Sequence, residues 1–205
     1  MRCKICGKYF LSSPITSGES LFAIATAAAA ALLTTGVRAA DYTIDPSHTF
    51  IQFRISHLGY STMVGRFNAF EGDFSWDKEK PETSSIGLTI NSDSIDTNWA
   101  ERDKHLRSDE FLDVEKYPQA AFKSTKYTGD ASGGTLEGEL TLHGVTRPIT
   151  IEVKAVGEGP DPWGGYRAGF DGTTMLTRKD YGISYDLGPA SESMQFDLHI
   201  EGKRK

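Results

Sequence analysis

Met194-Gln-Phe-Asp-Leu-His-Ile-Glu201 alternates without a break: Met194, Phe196, Leu198 and Ile200 are apolar, while Gln195, Asp197, His199 and Glu201 are polar. Successive side chains of a strand point to opposite faces, so this run reads as a strand with one greasy and one wet side. The same period recurs on working outward. Ile51, Phe53 and Ile55 alternate with Gln52, Arg54 and Ser56; Phe70, Gly72, Phe74 and Trp76 alternate with Glu71, Asp73, Ser75 and Asp77. Ile86, Leu88 and Ile90 form a further run, as do Leu136, Leu140 and Leu142, and Ile149, Ile151 and Val153. Turn signals separate the runs at Lys80-Pro81, Gly129-Asp130, Gly133-Gly134, His143-Gly144 and Gly157 to Gly165. Parallel βαβ sheets, buried on both faces, read as continuous apolar stretches. This chain is therefore expected to be all-β and antiparallel.

Asn98 to Tyr117 breaks the alternation and reads as a short helical segment near residues 99–114. Asn98 is the expected N-cap, with Glu101 as the capping-box carboxylate three residues on. Asp103 and Arg107 are spaced to pair across one turn. Trp99, Leu106 and Phe111 are the side chains expected to turn toward the sheet.

Roughly eight strands with one polar face each must hide their other faces and their edges, which a sandwich or a closed barrel achieves. Eight strands make a barrel wide enough to be filled by side chains or to hold one small ligand. Phe50, Phe53, Phe67, Phe70, Phe74, Trp76, Phe122, Phe170 and Phe196 all fall in or beside strand segments. They read either as a solid aromatic core or as the wall of an apolar cavity.

The chain has 205 residues, 38% hydrophobic and 24% charged, with 21 glycines and a formal charge of -6. Its first forty residues differ from the rest. Arg2, Lys4 and Lys8 precede an apolar run from Leu21 to Leu33, and Val37-Arg-Ala39 supplies a small-residue cleavage site. This pattern reads as a secretory signal peptide over 1–39, followed by one domain over 40–205. The apolar run would make roughly 20 Å of helix, short of the roughly 30 Å hydrocarbon core, so stable membrane insertion is not expected. Cleavage removes four basic residues and one acidic, leaving 18 basic and 27 acidic groups and a net charge of -9. Such a chain is repelled by nucleic acid and by anionic lipid surfaces. Both cysteines, Cys3 and Cys6, leave with the leader; their C-x-x-C spacing has no second pair nearby to complete a zinc site.

Motifs for reactive chemistry are missing from the mature sequence: it contains no G-x-S-x-G, H-E-x-x-H, P-loop or EF-hand pattern. Ser75-Trp-Asp-Lys78 matches S-x-x-K only by spelling, since it lies in an alternating run. Glu101 and His105 stand one helical turn apart but lack a third metal ligand. No catalytic residue, metal or cofactor is expected.

Several stretches carry a resemblance. Asp41-Tyr-Thr-Ile-Asp-Pro46, Phe53-Arg-Ile-Ser-His-Leu-Gly-Tyr-Ser61 and Asn98-Trp-Ala-Glu-Arg-Asp-Lys-His-Leu-Arg-Ser108 are similar to the YceI-like periplasmic polyisoprenoid-binding proteins. So are Lys116-Tyr-Pro-Gln-Ala120, Leu142-His-Gly-Val-Thr-Arg-Pro148, Asp161-Pro-Trp-Gly-Gly165 and Arg178-Lys-Asp-Tyr-Gly182, in the same order along the chain. The resemblance implies an extended, eight-stranded, lipocalin-like antiparallel barrel with a helical segment over it. It implies, too, a periplasmic binding protein whose ligand is a long-chain amphipathic isoprenoid, of polyprenyl or quinone type, held for transport, storage or sequestration.

Strand parity then nominates Phe53, Ile55, His57, Tyr60, Phe67, Phe70, Phe74, Trp76, Leu106, Phe111, Phe122, Phe170, Met194 and Phe196 as ligand-binding residues. Helix 99–107 and loop 157–165 are expected at the mouth, with Tyr60, Arg107 or His57 meeting a headgroup. Two alternatives stand beside this reading. One is an enzyme acting on an amphipathic, lipid-like substrate in the same cavity through His57, Glu101 or His105; the other is an envelope protein whose barrel is packed solid.

Overall fold

The computed structural model describes residues 39–205, so the expected leader up to residue 38 lies outside the described residues. Eleven strands and one α-helix follow: β1 (Ala40–Ile44), β2 (Phe50–His57), β3 (Ser61–Phe67), β4 (Phe70–Trp76), β5 (Ser85–Asn91), β6 (Ile95–Asp96), α1 (Ala100–Arg107), β7 (Gln119–Asp130), β8 (Gly133–Leu142), β9 (Val145–Pro160), β10 (Tyr166–Thr177) and β11 (Ser193–Arg204). Every pairing is antiparallel.

Eight strands close a ring in the order β1-β4-β5-β7-β8-β9-β10-β11, sealed by β1 against β11. The expected eight-stranded antiparallel barrel is therefore the observed one. The three remaining strands extend the wall where β1 stops. β1 covers only Gly202 to Arg204 of β11, and β2 continues along the same edge from Met194 to His199. From β2 the wall carries on through β3 to the short β6, so the β2–β3–β6 ribbon completes what β1 begins. Closure leaves few strand edges exposed, the usual hazard of an antiparallel sheet.

Side chains follow the parity read from the sequence. Ile51, Phe53 and Ile55 are buried, whereas Arg54 between them is exposed. Phe53 faces Phe196 across the β2–β11 ladder and Gly65 across the β2–β3 ladder. At Gly65 a side chain would collide with the Phe53 ring, and Gly138 and Gly202 make the same room for Phe122 and Phe74. Large rings thus lie flat over glycines on the inner wall.

Hairpin turns fall at Leu58-Gly59 and His143-Gly144, each with two left-handed residues (φ 53° and 83°; φ 51° and 73°). Such pairs match the twist of the flanking strands. The Gly157–Gly165 stretch, read as a turn, is shorter than expected. β9 runs on to Pro160, with a register shift between Gly169 and Phe170 of β10, and only Asp161–Gly165 turns. One irregularity marks the wall. β9 and β10 pair from Pro160 with Tyr166 to Glu152 with Thr173 and then part. Beyond that point β9 holds only to β8 and β10 only to β11, and the Thr174 hydroxyl donates across the gap to the Thr150 carbonyl (2.7 Å).

The helix start differs from expectation. Asn98 sits at φ 66°, outside the extended conformation an N-cap requires, and Trp99 occupies that position without a side-chain cap. The carboxylate that reaches back is Asp103, accepting from the Thr97 amide (2.8 Å) and the Thr97 hydroxyl. Asp103 is therefore not paired with Arg107, which instead binds the Asp93 and Ile95 carbonyls (both 2.7 Å) and ties α1 to β6. Leu106 and Phe111 turn inward as expected, but Trp99 is 60% exposed. Its ring is covered by the Arg102 guanidinium rather than by the sheet.

Candidate functional site: an apolar cavity along the barrel axis

The inward rings and aliphatic chains stop short of meeting and leave a cavity of about 510 Å³. That size falls within the range of small-molecule sites. Phe170, Met194, Phe196 and Leu198 point inward yet remain only half-buried, because they border this space.

One end is shut by stacked rings. Tyr42 lies parallel to Phe74 at 4.8 Å, Phe170 meets Phe74 edge-on at 5.7 Å, and Trp76 meets Phe170 at 4.9 Å and Tyr127 at 6.3 Å. The Trp76 indole N–H donates to Glu158 (3.0 Å), which fixes the ring. Outside this plug Arg167 binds Asp45 (2.7 Å), Asp161 (3.1 Å) and Glu201, and Lys203 also reaches Asp45 (2.9 Å). Burial pushes the Asp45 carboxyl up, but hydrogen bonds from Ser47, His48, Lys203 and Arg167 outweigh it and hold the group well below the usual carboxylate range. Asp45, His48 and Glu201 place donor atoms within 4.8 Å of one another. Arg167 meets both carboxylates and Lys203 meets Asp45, so a metal ion there would have to displace cations already in place.

The other end carries α1, the β2–β3 turn and the 178–192 connection. His105, Phe111 and Tyr185 form a ring cluster with centroids 4.8–5.4 Å apart. His57, Leu58, His105 and Tyr185 line the cavity and are also exposed; Ser85 is their counterpart at the opposite end. The mouth is therefore on the α1 side. The Asp161–Gly165 turn is not part of it, contrary to expectation. Successive antiparallel hairpins alternate ends, so the turn after β9 must lie opposite the His143 turn, which packs against Tyr117 just after α1.

Of the nominated residues, Phe53, Ile55, His57, Phe67, Phe74, Trp76, Leu106, Phe111, Phe122, Phe170, Met194 and Phe196 border the cavity. Tyr60 does not: it is 85% exposed on the β2–β3 turn, past the end of the strand parity used to choose it. Phe70 has the right parity but packs against the core from the first position of β4 without reaching the lining. Arg107, spent on the Asp93 and Ile95 carbonyls, does not line the cavity either. Glu101 is exposed and His105 hydrogen-bonds to Glu110 instead. Sequence reasoning favoured rings and passed over aliphatic lining residues such as Ile51, Leu88, Ile90, Leu140, Ile151 and Leu176. It also passed over Arg178, a buried guanidinium in the same wall, although that residue opens the Arg178–Gly182 motif. Among the described residues no helix is long and apolar enough to cross a membrane.

Comparison with known proteins gives consistent matches. A family model described as YceI-like domain matches residues 42–202. A UPF0312 protein of Pseudomonas aeruginosa is 52% identical over 184 residues, covering 88% of this chain and 96% of the relative. Among solved structures, a Campylobacter jejuni YCEI protein shares 27% identity with a TM-score of 0.67, over 74% of this chain and 90% of the other. A polyisoprenoid binding domain from Saccharophagus degradans shares the fold at 18% identity and a TM-score of 0.60, over 80% and 98% of the two chains.

Proposed function

Because the chain belongs to the YceI-like family, we propose that it is a non-catalytic periplasmic binding protein that holds a long-chain amphipathic isoprenoid, of polyprenyl or quinone type, inside its barrel. The observation that carries this reading is the cavity itself, about 510 Å³ and walled almost wholly by hydrocarbon. An isoprenoid tail exposes apolar surface along its whole length. Burying it is worth roughly 0.8 kcal/mol per CH₂ equivalent before the cost of ordering the chain. The lining of branched aliphatics and aromatic rings suits such a tail, and a net-acidic exterior keeps the loaded protein dispersed in water. The polyisoprenoid binding named for the Saccharophagus degradans domain points the same way. The secretory pattern of the leader supports a location outside the inner membrane, where such a barrel would serve transport, storage or sequestration.

Native mass spectrometry of the protein purified from its own periplasm tests the proposal. The expected spectrum shows a companion mass of several hundred daltons that is stripped by organic solvent and restored by a quinone or polyprenyl lipid. A protein that always flies at its bare mass, and takes up nothing when offered these lipids, overturns it.

A further inference from the structure

Arg178 is 4% exposed, yet its side chain borders the apolar cavity beside Leu176, Ile183 and Leu187. Its Nε donates to the Ser191 carbonyl (2.9 Å) and its Nη1 to the Tyr185 carbonyl (3.1 Å). Both acceptors are neutral; they hold the guanidinium in place without cancelling its charge. Nη2 has no protein acceptor among the described residues. The nearest acids are engaged elsewhere: Glu192 pairs with Lys179 (3.1 Å), and Asp186 accepts from the Gly188 amide (2.8 Å). Neither comes within salt-bridge distance of Arg178.

Two of the other buried charges have ion partners: Asp45 meets Arg167 and Lys203, and Asp197 meets Arg54. The other two, Asp103 and Asp77, accept from neutral donors, Asp103 from Thr97 and Asp77 from the Glu79 and Lys80 amides, and neither borders the cavity. Buried ions in proteins are ordinarily paired, and arginine does not escape the requirement by losing its proton. Burial lowers the affinity of Arg178 for its proton, with Asp186 and Glu192 opposing this only from a distance. A cation is thus held in a hydrocarbon wall, next to empty space, with its partner missing.

The fork geometry of a guanidinium matches two oxygens of one acid group. Arg178 lies at the α1 end, where Ser191 is hydrogen-bonded to Ser56 at the rim of β2 and where His57 and Tyr185 open to solvent. A tail running down the cavity from this mouth leaves its head beside Arg178. We propose that Arg178 is the receptor for an acidic headgroup, a carboxylate or a phosphate monoester, on the long-chain ligand, so that this barrel selects acids over alcohols of equal length. The inference rests on the binding function proposed above and adds the chemical class of the head.

Calorimetric titration of the delipidated protein with geranylgeranyl phosphate, geranylgeraniol and inorganic phosphate tests it. The prenyl phosphate is expected to bind more than about tenfold tighter than the alcohol, the scale of a hydrogen bond to a charged group, with inorganic phosphate not binding in the millimolar range. Arg178→Gln keeps a donor for one carbonyl but removes the charge, and is expected to bring the two lipids to similar affinity. The Arg178 Nε–H resonance of the unaltered protein gives a reading independent of whether that variant folds; it should shift with the phosphate and not with the alcohol. Equal affinity for both lipids overturns the headgroup assignment and leaves the binding function standing, as does a preference that survives in Arg178→Gln. Equal shifts of the resonance do the same. Inorganic phosphate binding as tightly as the prenyl phosphate makes this an anion site unrelated to the tail and also overturns it. Failure of both lipids to bind refutes the binding function itself.

Discussion

Truncating Ile151 and Ile44 to alanine compares a residue that borders the cavity with one that does not. Both are almost fully buried, at 5% and 3% exposure, so simple burial ranks them together. Ile44 sits in solid packing near Gly72, whereas Ile151 looks onto open space. Ile→Ala removes three carbons, about 2.4 kcal/mol of transfer free energy at roughly 0.8 each. In a filled core the void left behind adds to this, for a total of about 2–5 kcal/mol. At Ile151 the void already exists and only widens, so the cavity contribution is small. The expected losses are about 4 kcal/mol for Ile44→Ala and about 2.4 kcal/mol for Ile151→Ala. For a domain of this size each kcal/mol shifts Tm by about 2–4 °C, so the two variants should separate clearly in calorimetry of the lipid-free protein. Saturation with a ligand that fills the cavity should then widen the deficit of Ile151→Ala and leave that of Ile44→Ala unchanged. Equal losses in the empty protein would refute the hollow interior.

Other expectations follow from the wall and its loops. Gly65→Ala places a methyl group against the Phe53 ring and should cost about 1–3 kcal/mol by overpacking, read in urea unfolding; an unchanged midpoint would show that the ring moves aside freely. Asp103→Asn weakens the grip on Thr97 and should cost about 1.5–3 kcal/mol, with faster amide exchange over α1 than elsewhere. The pH dependence has a definite sign. Asp45 and Asp197 are raised by burial, but hydrogen bonds from their partners, including Arg54 and Gln195 at Asp197, bring both below the ordinary 3.8. Their contribution is therefore complete above about pH 4 and is lost as pH falls below it through the lowered values. Thermal melts from pH 7 to 2 should be flat at first and drop only below that point, and a decline beginning at pH 6 would point to other groups.

Much of the architecture was legible because strand parity is local. The alternation at Ile51-Phe53-Ile55 or Phe196-Leu198-Ile200 shows which side chains face inward without reference to any distant residue. The helix start was not legible in the same way. Asn98 and Glu101 spell a capping box, but the chain reaches Asn98 in a left-handed conformation, and Asp103 holds Thr97 instead. The 157–165 loop was assigned to the wrong end for a different reason. Which end a loop occupies depends on counting hairpins correctly, and β9 is longer than its glycines suggested. Arg178 was hidden because arginine in a sequence reads as surface. Only the packing of the 178–192 connection against β2 through Ser191 reveals that it is inside.

The parting of β9 from β10 makes this tube a slit cylinder over part of its height. A fully laddered cylinder has a girth fixed by its strand number and stagger. Here the lower stretch of β9, Val145 to Ile151, and the tail of β10 from Thr174 share no ladder bond and are tied only by the Thr174 hydroxyl on the Thr150 carbonyl, so spreading them costs that one bond. Pro148, which has no amide hydrogen to offer, lies on that slack margin. The bore can therefore swell for a branched or kinked hydrocarbon near its open end, while the ring-plugged base keeps a constant width.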